Sequence, residues 1–296
     1  MTSIRIATLI VLVSAAVVGC AEEKIDSDGA FLGEAYPPVT TDEGEGWLSV
    51  NGDGDRMVFG RHRSEGWTNH VLLETVRTSS GWSDPQVLPF SGAFNDRGAR
   101  FYPALDALLF SSDRPLDGAG EASDFNLWVA IHDGEEWIDP EPLGALNSDE
   151  NDFHGSVSAT GTIYFSSSRE GGKGGSDIYR AVLRATGYEL EPLVGAVNTE
   201  YSEADVFVDP EERYIIFSRT DDPNGFGGDD LWISFLEGYE WDVTQNLGDV
   251  VNSSEHEYGS YVSRDGWTLY FTSHQDGDAD IMTIPMSSLN IVWPGR

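Results

Sequence analysis

The stretch Ile163-Tyr164-Phe165-Ser166-Ser167-Ser168-Arg169-Glu170-Gly171-Gly172, continued by Lys173-Gly174-Gly175-Ser176-Asp177-Ile178-Tyr179, decides the fold. Its β-branched and aromatic run reads as a buried strand, its Ser/Gly segment as a turn, and Asp177 as the opening of the next strand. The same order occurs five times. The strand-ending phenylalanines are Phe59, Phe110, Phe165, Phe217 and Phe271, spaced 51 to 55 residues apart. The following strand opens at Asn126-Leu127-Trp128, Asp177-Ile178-Tyr179, Asp230-Leu231-Trp232 and Asp280-Ile281-Met282, with a degenerate copy at His70-Val71-Leu72. A glycine–aromatic turn and a short fourth strand then close the unit, as in Gly238 to Trp241 followed by Gln245-Asn246-Leu247-Gly248.

Each unit therefore carries four strand signals. A lone four-stranded sheet cannot bury both its faces, whereas several packed face to face around an axis can. The expected fold is all-β: a five-bladed β-propeller of four-stranded antiparallel blades, with a six-bladed ring as the alternative. The last unit lacks the Gly-Trp turn and Leu-Gly ending of its siblings. Phe31-Leu32-Gly33 resembles that missing ending, so an N-terminal strand is expected to complete the fifth blade and cover its open edge.

Phe110-Ser111-Ser112-Asp113-Arg114-Pro115 and the 163–179 stretch resemble the core of the WD40-like propeller repeats of TolB and related bacterial envelope proteins. Ser263-Arg264-Asp265-Gly266 resembles the turn that precedes the phenylalanine strand in that family. The resemblance runs from about Phe31 to Pro285. It implies a propeller that binds an envelope protein or a cell-wall or polysaccharide ligand, with no catalysis of its own. The segment before Phe31 does not resemble the N-terminal α/β domain of TolB, so the Tol-specific role is not carried over.

The opening of the chain reads as an address. Arg5 is followed by an apolar run from Ile6 to Val18 that is short for a membrane span, and the run ends in Val17-Val18-Gly19-Cys20. This boundary resembles a bacterial lipobox, and Cys20 is the chain's single cysteine. The expected organisation is a lipoprotein signal peptide over 1–19, a lipidated tether over 20–30 and the propeller over 31–296. Acyl chains on Cys20 would supply the membrane anchor. Ala21, rather than Asp, follows the cysteine, which implies the outer membrane, on either face.

Composition excludes several classes. With 51 Asp+Glu against 17 Lys+Arg, the net charge of -34 would repel nucleic-acid phosphates and anionic lipid surfaces. A single cysteine excludes disulfides within the chain and Cys-cluster metal sites. The six histidines (His62, His70, His132, His154, His256 and His274) are scattered singly, and neither a G-x-S-x-G elbow nor an H-E-x-x-H helix is written. The alternative function is a glycosidase, which needs two carboxylates about 5–9 Å apart at the axis.

Three residue sets are candidates for function or support. Counting fourteen residues back from each phenylalanine gives Glu45, Asp96, Asn151, Glu203 and Glu257, a ring expected to gather at one mouth and attract a cation or basic partner. Arg114, Arg169 and Arg219 are expected to brace hairpins against Asn126, Asp177 and Asp230. Asp276, Asp278 and Asp280 alternate as Ca²⁺ ligands do, but without the glycine and glutamate of an EF-hand loop. Their better reading is turn chemistry, so no cofactor is expected. For Cys20 the expected outcome is direct: Cys20→Ser, or globomycin treatment, leaves unprocessed precursor on an immunoblot. Normal maturation and membrane retention of the Ser variant would refute lipidation.

Overall fold

The phenylalanine runs form the second strand of each blade because both their faces are covered. Ala107–Ser112 and Ile163–Ser167 are buried along their whole length, and Phe59, Phe110, Phe165 and Phe217 have no exposed surface. The computed structural model describes residues 36, 39, 41–62, 70–103, 105–116, 123–275 and 277–294; Cys20 and Phe31-Leu32-Gly33 lie outside them.

Five antiparallel sheets follow one another in chain order. Blade 1 holds Glu45–Val50, Arg56–His62 and His70–Thr78, with Gly81–Trp82 and Gln86–Val87 pairing on its outer edge. Blade 2 holds Asp96–Phe101, Ala107–Ser112, Asn126–Ile131 and Glu141–Pro142; blade 3 holds Asp152–Val157, Ile163–Ser167, Asp177–Arg184 and Gly187–Glu191. Blade 4 holds Ser202–Val208, Tyr214–Thr220, Asp229–Glu237 and Glu240–Asn246, and blade 5 holds Glu257–Val262, Thr268–Ser273 and Asp280–Pro285. The first strand of each blade packs against the first strands of both neighbours, and that of blade 5 returns to blade 1. The fold is therefore a closed five-bladed propeller, with its hydrophobic clusters lying between adjacent blades.

Closure of the ring involves the N-terminal segment. The amide of Tyr36 donates to the Ile281 carbonyl on the outer edge of blade 5 at 2.8 Å. The Leu88, Leu143 and Leu247 amides make the same bond to Leu72, Leu127 and Leu231 in blades 1, 2 and 4. Val39 is buried six residues before Glu45, as Leu146 is before Asp152 and Val197 before Glu203. The described closing contact is thus made by Tyr36, four residues after Leu32. Burial of Val39 against Leu48, Met57 and Ile281 ties the first blade to the last. Val39→Ala is expected to lower unfolding free energy by about 1–3 kcal/mol in denaturant titration, and removal of residues 21–39 to lower the melting temperature cooperatively. Unchanged stability in both would show that closure does not depend on this segment.

Candidate functional site: the propeller axis

Each inner strand carries a buried carboxylate at its first or second residue, and the structure shows what those groups do. Glu45, Asp96, Asp152, Glu203 and Glu257 are all at most 1% exposed. Thr41 donates to Glu45 through its amide at 3.0 Å and its hydroxyl at 2.6 Å, and Ser253 does the same to Glu257 at 2.7 Å for both bonds. Ser148 and Thr199 serve Asp152 and Glu203 in the same way, and Ser91 Oγ donates to Asp96 at 2.7 Å. An arginine from the neighbouring second strand, or the turn just after it, completes four of the five: Arg61 to Glu45 at 2.8 Å, Arg114 to Asp96 and Arg169 to Asp152 at 2.6 Å, and Arg219 to Glu203 at 2.9 Å. Ser273 Oγ takes that place at Glu257, at 2.7 Å.

Two sequence expectations are corrected here. The fifth member of the ring is Asp152, not Asn151: the turn between the first two strands of blade 3 is one residue shorter than in its siblings, so a fixed count of fourteen overshoots. Asn151 Oδ1 instead accepts the Phe125 amide at 2.9 Å. The arginines do not brace Asn126, Asp177 and Asp230. They reach inward to the strand-head carboxylate and to a carbonyl of the preceding connector, Phe90, Leu146 or Val197. Each lies over aromatic rings, as Arg219 does over Trp232 at 4.7 Å and Arg169 over Tyr179 at 4.8 Å. Asp177 and Asp230 accept loop amides from Lys173 and Phe226, at 2.8 and 2.7 Å, and Asn126 donates to the Asp124 carbonyl at 3.1 Å. Of the calcium candidates, Asp276 lies outside the described residues, Asp278 is exposed and Asp280 opens a strand. Among the described residues no group of three His, Cys, Asp or Glu side chains is placed to hold a metal ion.

The axis itself is occupied by residues two positions further on. Each inner strand has a bulge there, and Trp47, Gly98, His154, Asp205 and Gly259 all have φ between 51° and 64°. The left-handed turn brings Trp47, His154 and Asp205 from three different blades into contact. The Trp47 indole N–H donates to Asp205. His154 Nδ1 stands 2.9 Å from Asp205 Oδ1, near enough for charge but off the line of a hydrogen bond. The Trp47 and His154 rings are 5.2 Å apart. Glycine at 98 makes room: a Cβ there would lie 2.6 Å from the His154 ring. Below this layer Arg100 crosses from blade 2 to the Leu48 carbonyl of blade 1 and the Ser260 carbonyl of blade 5, both at 2.8 Å. The two layers fill the axis and join all five blades.

A cavity of about 310 Å³ opens above this floor, on the face where the inner strands begin; Trp47, His62, His70, Tyr258 and His274 line it, with Asp278 at its rim. A second of about 380 Å³ lies at the opposite mouth, between Tyr102, Phe207, Tyr261 and Arg264. Burial lowers the His70 imidazole to about 3, helped by the charges of Arg97 and His62, and burial also lowers His154 and His274. Burial alone would raise the Asp205 carboxyl, but His154, the Trp47 N–H and Arg97 outweigh it and hold it below the usual range. The floor therefore carries a carboxylate, and burial favours the neutral form of the His70 and His274 imidazoles in the walls.

Sequence reasoning missed this constellation. Trp47, His154 and Asp205 are 51 to 158 residues from one another in sequence, and their signal is positional: two residues beyond each strand-head acid.

Comparison with known proteins follows the geometry. No protein-family model and no curated protein matches the sequence. Among solved structures, a TolB candidate from Agrobacterium tumefaciens superposes with a TM-score of 0.54 at 16% identity, over 85% of this chain and 80% of that one. The chain shares the β-propeller fold of that structure. TolB from Acinetobacter baumannii gives 0.51 at 13% identity over 84% of this chain, which spans 56% of that protein. A GH43_1 enzyme from Xanthomonas citri, complexed with xylose, gives 0.53 at 12% identity over 87% and 93% of the two chains. At these identities the likeness is one of architecture, shared by the TolB structures and a GH43_1 enzyme.

The histidines predict a pH profile. His70 titrates at about 3 when folded against 6.5 in its ordinary state. The unfolded chain therefore takes up protons below 6.5 that the folded chain does not, so stability is full above 6.5 and is lost as pH falls towards 3. Unfolding free energy should drop between about pH 6.5 and 5, and His70→Gln should flatten the slope by up to one proton, about 1.4 kcal/mol per pH unit. An equally steep profile in the variant would place the titration elsewhere.

Proposed function

We propose that the chain is a lipid-anchored envelope propeller that acts as a binding scaffold through the mouth above Trp47, and that it has no catalysis of its own. The observation that carries this reading is the filled axis. Of the five positions that meet there, only Asp205 is a carboxylate, and it is engaged by Trp47 and His154. The strand-head acids are buried and occupied by Ser, Thr and Arg donors, so they are supports for the blades rather than reacting groups. A glycosidase needs a second carboxylate across the bond to be cleaved, and the geometry at Asp205 favours binding over that alternative. The likeness to TolB structures supports a scaffold on the same architecture.

The acidic surface favours partners of neutral or basic charge and supports solubility. Anchoring through Cys20 would hold the propeller at the membrane while leaving its mouth accessible. The test is crosslinking and capture of the membrane-anchored form from its native envelope, comparing Asp278→Arg at the upper rim with Glu211→Arg at the opposite mouth. The expected result is an envelope partner whose capture falls several-fold in Asp278→Arg and is unchanged in Glu211→Arg. The reverse pattern would overturn the assignment of the face, and release of reducing sugar from xylan by the pure protein would establish the hydrolase alternative.

A further inference from the structure

Four residues beyond the strand-head acids stand Ser49, Arg100, Ser156, Phe207 and Tyr261, one from each blade, and all five line the cavity of about 380 Å³ at the lower mouth. We infer that this cavity binds a small aromatic carboxylate, with its acid group on Arg100 and its ring among the aromatic walls. The site lies on the face opposite the mouth above Trp47 and is independent of it.

The charge argument starts at Arg100, which is 4% exposed and has no salt-bridge partner among the described residues. Its Nη1 donates to the Leu48 carbonyl at 2.8 Å and the Ala99 carbonyl at 3.5 Å, and its Nη2 to the Ser260 carbonyl at 2.8 Å. A guanidinium carries five N–H donors, so the Nε proton and one Nη2 proton are left without an acceptor among the described residues. The carboxylate whose charge acts on Arg100 is Asp205. That group is already engaged by the Trp47 N–H and by His154, and it also faces Arg97. Two buried guanidinium groups thus share one axial carboxylate. Asp113 acts on Arg97 as well, so the uncompensated positive charge falls at Arg100. A buried charge short of its counter-charge is costly, and an anionic ligand relieves that cost.

The rim does not cancel this charge. Arg100, Arg213 and Arg264 line the cavity against Asp209, Glu211 and Asp265. Arg213 holds Asp209 through two bonds, at 2.7 and 2.9 Å, and stands 3.5 Å from Glu211. Asp265 accepts the Ser263 hydroxyl and the Trp267 amide. In a chain with 51 acids against 17 bases, this mouth is evenly balanced.

The body of the ligand follows from the walls. The Ser49 and Ser156 hydroxyl oxygens accept the Phe101 and Val208 amides, both at 3.1 Å, and the Tyr261 hydroxyl donates to the Val50 carbonyl at 3.1 Å. With those groups occupied, a ligand meets chiefly the aromatic faces of Phe207, Tyr261 and Tyr102 and the methyls of Val157 and Val262. Phe207 and Tyr261 already meet edge to face, with centroids 5.9 Å apart, and such a pair accepts a further ring. A volume of about 380 Å³ is near the lower end of the range for ligand sites, roughly 300–1,000 Å³, and suits one ring with a short acidic arm.

The test is titration of the whole chain with benzoate, phenylacetate and para-hydroxybenzoate, followed by saturation-transfer NMR and calorimetry. The matching carboxamides and benzylammonium serve as neutral and cationic counterparts. The expected result is saturable binding of at least one acid with Kd below about 1 mM, at least tenfold tighter than its amide and than benzylammonium. Arg100→Gln removes the charge while keeping an amide donor, and it should erase the preference for acid over amide. Ala159→Trp, at an exposed position on the cavity rim, should weaken binding at least tenfold with the melting temperature held, and so tests the site even if Arg100→Gln does not fold. Asp278→Arg, at the upper rim, should leave binding unchanged. No saturable binding by any of the three acids, amides that bind as tightly as their acids, an acid preference that survives in Arg100→Gln, or wild-type affinity in Ala159→Trp would overturn the inference. Loss of binding in Asp278→Arg would overturn it too, by placing the ligand in the upper cavity.

Discussion

Five carboxylates sit at the heads of the inner strands with almost no exposure, and an ionised carboxylate survives there only if donors fill its lone pairs. The chain meets that demand with local and distant groups together. A Ser or Thr four or five residues earlier supplies the local donors, and an arginine or serine from the neighbouring second strand supplies the distant one. In three blades the same arginine also holds a carbonyl of the connector that arrives from the preceding blade. One buried charge thus fixes the start of the inner strand, its pairing with the second strand and the path between blades. Removing either partner of such a pair costs about 3–5 kcal/mol, because the other is left charged and buried. This requirement accounts for the inward placement of Arg61, Arg114, Arg169 and Arg219 in a chain with a large excess of acid.

The inner strands then diverge where the clamp ends. Two residues beyond each acid the backbone turns left-handed, and the side chain at that position is aimed at the axis. Two of the five positions are glycine, which leaves room for three larger groups, Trp47, His154 and Asp205. A filled axis has two consequences. It ties blades through polar contacts that supplement the apolar packing between them, and it converts the channel into two separate cavities, one on each face. The upper cavity takes its aromatic walls and its carboxylate floor from the residues that close it. Repetition therefore governs the scaffold, and departure from repetition governs the site.

The N-terminal segment shows the same economy. Tyr36, Val39 and Thr41 occupy the places that Leu143, Leu146 and Ser148 take between blades 2 and 3. The first connector of the ring is thus also its closing piece. A propeller sealed in this way cannot fray from one end without breaking a strand contact and a buried cluster at once.

The periodic phenylalanines and the Asp or Asn openings were legible in the sequence because strand alternation and turn chemistry act over a few residues, and each blade repeats them. Those local rules determined an all-β propeller, its five units and the approximate place of the strand-head acids. They misplaced Asn151 because a one-residue difference in a turn is invisible to a fixed count. They misassigned Arg169, because which carboxylate an arginine reaches depends on strand pairing across the blade rather than on proximity along the chain. The histidines looked solitary for the same reason. The blade 1 hairpin pairs His62 with His70, and only packing between blades adds His274 to their cavity and sets His154 on Asp205. Contacts between blades join residues dozens of positions apart, and no local propensity encodes which of them meet. The sequence determined the scaffold through short-range physics, while the site was decided by long-range packing around the axis.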